Sequence, residues 1–287
     1  MSTSMLDASL ARPPSGRTQP VWFDSLAYCR AKLLDGEPVP WESPGELSAF
    51  FAKSQGMFQS DALFVDLDDL YAHRVAGDSG LSAAMAARTR PGFALRTLLG
   101  DERARAVAET AMTALGAADR ATPVVLSLPS PARWLTIASR QAGAQPTEPP
   151  DPDLVENAAM YMADLLRIFA SARVDALVLN EGPTSEEDLA DTENYRPVLN
   201  VAAHYEWPVW VRTDDAGCWP RGEIEGVLGW FGTRPPAANG GRWGIVLPPG
   251  PGLETGPLPG AGGGPVLAIV PKAGDPELVM RWVRQLT

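Results

Sequence analysis

The chain has 287 residues, 45% of them hydrophobic, with 24 Lys and Arg against 35 Asp and Glu for a net charge of −11. That apolar content supports a sizeable core, and α/β barrels of about 250 residues routinely form one domain. The acidic balance argues against nucleic acid, anionic membrane and highly anionic substrates as partners, since all of these demand a basic face.

Residues 1–20 hold Ser, Pro, Gly and Arg without a sustained apolar segment and read as a disordered tail ahead of one domain over 21–287. Trp22–Leu34 carries helical spacing, and Pro38–Trp41 reads as a short first strand. A helix over Glu46–Met57 leads to a strand at Ala62–Asp66. Alanine-rich helical stretches cover Leu81–Gly100 and Asp101–Ala118, with acidic residues where the second opens. A strand follows at Val124–Leu128.

Leu154–Ala172 is a helix with Leu154, Ala158, Tyr161, Leu165, Ile168 and Phe169 on one side. It feeds the apolar run Val174–Leu179, which breaks off in Asn180 and Glu181. A buried parallel strand reads this way, and polar groups at its carboxyl end are where α/β folds place ligands. Glu186–Tyr205 is helical with an interruption before Pro197, and a strand follows at Val209–Arg212. Arg221–Val227 reads as a short helix before a strand around Val227–Phe231. Further strands fall at Ile245–Leu247 and Val266–Val270, and Asp275 and Pro276 cap and open a last helix to Leu286. Pro235–Gly241 and Pro248–Gly264 are Gly- and Pro-rich loops. Eight strands with intervening helices predict an α/β fold, a (β/α)8 TIM-type barrel, with an open doubly wound sheet as the other arrangement of the same elements.

Cys29 and Cys218 have neither a disulfide-framework nor a zinc spacing and read as reduced thiols of a cytoplasmic protein. No run of about 18 apolar residues occurs, so no membrane-spanning helix is expected. A phosphate-binding loop, a dinucleotide fingerprint, a nucleophile elbow and a zincin helix are all missing.

Several segments resemble the uroporphyrinogen decarboxylase superfamily, which includes cobalamin-independent methionine synthase and corrinoid-dependent methyltransferases. Asp61–Leu70 (DALFVDLDDL) resembles its early strand ending in an aspartate. Pro123–Pro131 is similar to its PLIGFxGxP strand, and Gly244–Leu253 to its LxGNxDPxxL strand and loop. Pro265–Leu286 matches its last strand and helix start, so that the resemblance spans roughly residues 36–286. It implies a barrel that often dimerises, with Asp68 at the catalytic aspartate position.

The departures narrow what the resemblance implies. The amino-terminal arginine signature is missing, Arg88 and Arg90 stand in another context, and the expected tyrosine and histidine fall near Ile137 and Lys272. The zinc-ligand positions of the methyltransferases read Arg212-Thr213-Asp214, and arginine stays protonated and cannot ligate zinc. His73 and His204 have no ligand spacing with Cys218, so neither a metal nor another cofactor is expected.

The strand ends supply the candidate site. Asp68 and Glu181 are the acid/base candidates, although Asp66, Asp68 and Asp69 also read as a solvated cap and Asn180 and Glu181 as a bonded strand end. Arg212 either clamps a substrate carboxylate or pairs with Asp214. Arg133 and Trp134 either meet substrate or start a helix, and Lys272 either binds an anion beside a helix start or sits in solvent. Trp219, Trp230 and Trp243 either line an aromatic pocket or fill core.

These residues suggest a divergent, metal-independent, lyase- or decarboxylase-type enzyme for a small organic acid or aromatic compound. Two other readings are a degenerate barrel acting as a binding protein or partner subunit in a homodimer or hetero-oligomer, and methyl transfer without the usual zinc site.

Overall fold

Eight short runs rich in Val, Leu and Ile form parallel strands in a computed structural model, which describes residues 4–182, 193–214, 224–236, 242–248 and 262–286. The strands are β1 (Val21–Asp24), β2 (Leu63–Asp66), β3 (Val124–Pro129), β4 (Ala176–Gly182), β5 (Val209–Thr213), β6 (Val227–Gly232), β7 (Arg242–Leu247) and β8 (Gly263–Ile269). The helices are α1 (Met5–Ala11), α2 (Leu26–Leu33), α3 (Pro44–Phe58), α4 (Leu67–Gly77), α5 (Ser79–Ala86), α6 (Phe93–Leu99), α7 (Glu102–Ala118), α8 (Pro131–Gln141), α9 (Pro152–Leu166), α10 (Arg196–His204) and α11 (Pro276–Gln285). A 3-10 turn at Arg167–Ser171 extends α9.

The strands run β1-β8-β7-β6-β5-β4-β3-β2, each parallel to its neighbour. This is a (β/α)8 TIM-type barrel in one domain. None of the described helices is long and apolar enough to cross a membrane.

Alternation along the strands divides the core in two. Val65, Leu126, Leu177 and Val211 face the helices, while Phe64, Val125, Val178 and Leu267 face the interior. Trp22, Trp210 and Phe231 fill the interior, with ring centroids 6.1, 5.6 and 5.0 Å apart. Gly229 and Gly244 leave the room these rings need, since a Cβ at either would collide with Trp210 or Phe231. The waist is packed solid, so chemistry belongs at the carboxyl ends of the strands.

The barrel closes without a ladder between β1 and β2. Asp61, fully buried just before β2, supplies the closure instead. Its N–H donates to the Val21 carbonyl at 2.9 Å, and its carboxylate accepts the Val21 N–H at 2.9 Å and the Ser15 N–H at 2.8 Å. Ser60 Oγ accepts the Phe23 N–H at 3.0 Å. Arg17, itself buried, lies 3.6 Å from Asp61 and donates to the carbonyls of Gln59 and Phe58. Burial pulls the Arg17 guanidinium down from its usual range, and Asp61 opposes that pull.

The structure corrects the sequence reading in several places. Residues 5–11 are helical, not a tail: Leu6 and Leu10, one turn apart, pack into the barrel interior, and Ser9 Oγ donates to the Asp61 carbonyl. The Trp22–Leu34 segment divides into β1 and α2, and Pro38–Trp41 is no strand. Asp66 caps α4, a helix hidden in the acidic run, by accepting the Asp68 N–H. Asp275 and Pro276 open α11 as expected. The helical expectation over 186–192 lies outside the described residues, and that over Arg221–Val227 does so through residue 223. Residues 225–226 turn directly into β6.

Candidate active site at the barrel mouth

Four strand ends and two helix starts converge at the mouth. Asp24 ends β1, Asp66 ends β2, Asn180 lies near the end of β4, Arg212 lies on β5 with Asp214 just beyond it, Asp68 is in the first turn of α4, and Arg133 is in the first turn of α8.

Arg212 spans the barrel. Its Nη1 donates to Asp24 Oδ2 and its Nε to Asp214 Oδ1, both at 3.0 Å. Burial alone would pull the guanidinium down, but Asp24 and Asp214 overcome it and raise it above its usual value. This arginine is committed to two carboxylates inside the protein. Of its two sequence readings the pairing with Asp214 is present, joined by a second pairing with Asp24.

Arg133 is placed differently. Its Nη1 donates to Asn180 Oδ1 at 2.6 Å and lies 4.0 Å from Asp214, while its Nε and Nη2 have no hydrogen-bond partner among the described residues. Its side chain is 30% exposed. Asn180 Oδ1 also accepts the Gly182 N–H at 3.0 Å. Gly182 has φ +69, and a Cβ there would stand 2.5 Å from Arg133 Nη1, so glycine makes the seat for the guanidinium.

Asp66 is the most perturbed acid of the group. Part of its surface reaches the mouth, yet protein crowds it on every side. Burial, then the negative charges of Asp24 and Asp68, push its carboxyl from 3.8 up to about 8, against the opposing Asp68 N–H. It is therefore chiefly neutral at pH 7. Burial also raises Asp68, with Arg133 pulling back and Asp69 adding to the rise.

Other sequence candidates fall elsewhere. Glu181 turns to the Tyr195 hydroxyl, which donates to its Oε2 at 3.1 Å, so Asn180 and not Glu181 joins Arg133. Trp134 is fully buried edge-on to Tyr71, and Trp230 packs in the outer core, so both fill space and neither lines the mouth. Lys272 is exposed after β8 with no ion pair among the described residues. Asp69 accepts the Trp41 indole N–H at 2.9 Å and lies 3.7 Å from Arg30. Trp219 and Cys218 lie outside the described residues.

Cys29 is buried and donates to Ser54 Oγ at 3.2 Å, and burial pushes its thiol up. His204 is exposed at the carboxyl end of α10. Among the described residues no group of three or more His, Cys, Asp or Glu is placed to hold a metal ion. Asp24 was missed because its strand read as a helix.

Comparisons with models of protein families, with curated proteins and with solved structures give no match.

Proposed function

We propose that this barrel is an acid–base enzyme of lyase or decarboxylase type for a small organic acid, with Asp66 as proton donor and Arg133 as anion anchor. The observation that carries this reading is a carboxyl held neutral to about pH 8 at the mouth of an α/β barrel. The roles differ from those the sequence suggests: the donor is Asp66 in place of Asp68 and Glu181, and the anchor is the partly free Arg133 in place of Arg212.

The geometry fits the chemistry. Arg133 offers two guanidinium nitrogens to a carboxylate. When a bond to the departing carbon dioxide breaks, the electron pair left behind takes the proton of Asp66. The resulting carboxylate faces Asp24 and Asp68, so it recovers a proton from solvent and resets the site.

Differential scanning fluorimetry with C2 to C6 mono- and dicarboxylic acids tests this reading. At least one acid is expected to raise the wild-type unfolding midpoint, and Arg133→Met to remove that shift with its unliganded midpoint unchanged. A wild type indifferent to every acid, or an equal shift in the variant, overturns it. Gly182→Ala is the companion: displacing Arg133 from Asn180 weakens carboxylate binding roughly tenfold, at a backbone cost of about 1 kcal/mol. Calorimetric affinities equal to wild type would refute that role for Gly182.

A further inference from the structure

Ser127 is the polar residue within the apolar run of β3. Val125 belongs to the interior cluster while Val124, Leu126 and Leu128 face the helices, so alternation turns Ser127 inward, one step nearer the mouth. In the register it lies between Asp66 of β2 and Val178 of β4. It is 3% exposed, and none of the described residues hydrogen-bonds its hydroxyl. Packing alone would be served as well by an alanine or valine, and the unpartnered hydroxyl is available to a ligand. Beside it, Asp66 uses Oδ1 to accept the Asp68 N–H and leaves its other oxygen without a protein partner among the described residues.

We infer that Ser127 and Asp66 together form the oxygen-binding floor of the site, and that its ligand is an oxo acid: a carboxylic acid with a second, uncharged acceptor oxygen. This rests on the proposed carboxylate reading and adds to it the substrate class. Arg133 takes the carboxylate and the two neutral O–H groups take the oxo oxygen. In a 3-oxo acid, as the bond to the departing carbon dioxide breaks, its electron pair becomes the C2–C3 double bond, the oxo π pair moves onto the oxygen, and that oxygen takes the proton of Asp66 to leave the enol. Ser127 keeps its proton and forms no covalent bond. Both donors strengthen as charge gathers on the oxygen, which makes the pair selective for the transition state.

Calorimetric titrations of wild type, Ser127→Ala and Arg133→Met with pentanoate and with 2-, 3- and 4-oxopentanoate test the assignment. Wild type is expected to bind at least one oxo acid about tenfold more tightly than pentanoate. Ser127→Ala keeps the pentanoate affinity, loses most of that preference and unfolds no earlier than wild type, while Arg133→Met loses both acids. A preference that survives in Ser127→Ala, or a wild type that binds pentanoate without preferring any oxo acid, overturns the inference and leaves the carboxylate reading standing. A lowered unfolding midpoint in Ser127→Ala also overturns it by showing a structural role. Failure of wild type to bind any of the four acids overturns both.

Discussion

Asp66→Asn is expected to lower turnover by about 100- to 10,000-fold, the usual range for loss of a positioned acid or base. Asparagine keeps the shape and can still accept the Asp68 N–H, but it has no proton to give. The wild-type kcat should decline as pH rises through about 8, where Asp66 ionises. A variant that retains full activity, or a wild-type profile flat through that region, would show that the proton comes from elsewhere.

The same carboxyl also governs stability. Its folded-state value is raised, so between 3.8 and about 8 the native protein holds a proton that the unfolded chain has released. The stabilisation is fully present below 3.8 and is lost as pH climbs through about 8. Above that, wild type carries an extra charge against Asp24 and Asp68, while Asp66→Asn does not. Urea unfolding above pH 8 should therefore find the variant more stable than wild type relative to their difference at pH 5. Parallel stability curves would contradict the assignment.

The largest loss of stability is expected from Asp61→Ala. It strands the buried Arg17 guanidinium and removes the acceptor from the Val21 and Ser15 N–H groups. Breaking one partner of a buried ion pair costs about 3–5 kcal/mol. At roughly 2–4 °C per kcal/mol, the unfolding midpoint should fall by about 6–20 °C. Arg17→Met in the Asp61→Ala background should recover part of this by removing the orphaned charge. Recovery stays incomplete because the two N–H groups still lack an acceptor. A single variant within about 1 kcal/mol of wild type would show that the β1–β2 closure does not depend on Asp61.

How much of this was legible from the sequence depended on local patterning. Strands β2 to β5 were readable because each is a short apolar run that breaks into polar residues, and α9 because its apolar positions repeat every three or four residues. Strand β1 was not, since Val21–Asp24 runs into α2 and the join mimics helical spacing. Leu6 and Leu10 make too short a pattern to distinguish a plug helix from a tail. Within the site, Asp66, Asp68, Asn180 and Asp214 were legible as strand-end polar residues. The division of labour between Arg133 and Arg212 was not, because it depends on Asp24, which approaches from across the barrel. Ser127 carried a weak signal, a lone hydroxyl at an inward position of PVVLSLPS. Trp134 and Trp230 fill core, the alternative role left open to the tryptophans by the sequence, as large aromatics most often do.

The pairing of β1 with β8 also sets the timetable of assembly. Val21 stands in register with Val266, so the ladder of the first strand waits for β8, far later in the chain. On a ribosome the early segments emerge seconds before the last ones at about 5–20 residues per second. During that interval Trp22 and Leu6 have no finished interior to enter. The Asp61 contacts give the waiting amino-terminal segment a provisional mooring beside β2, and completion of the barrel waits for β8 to emerge.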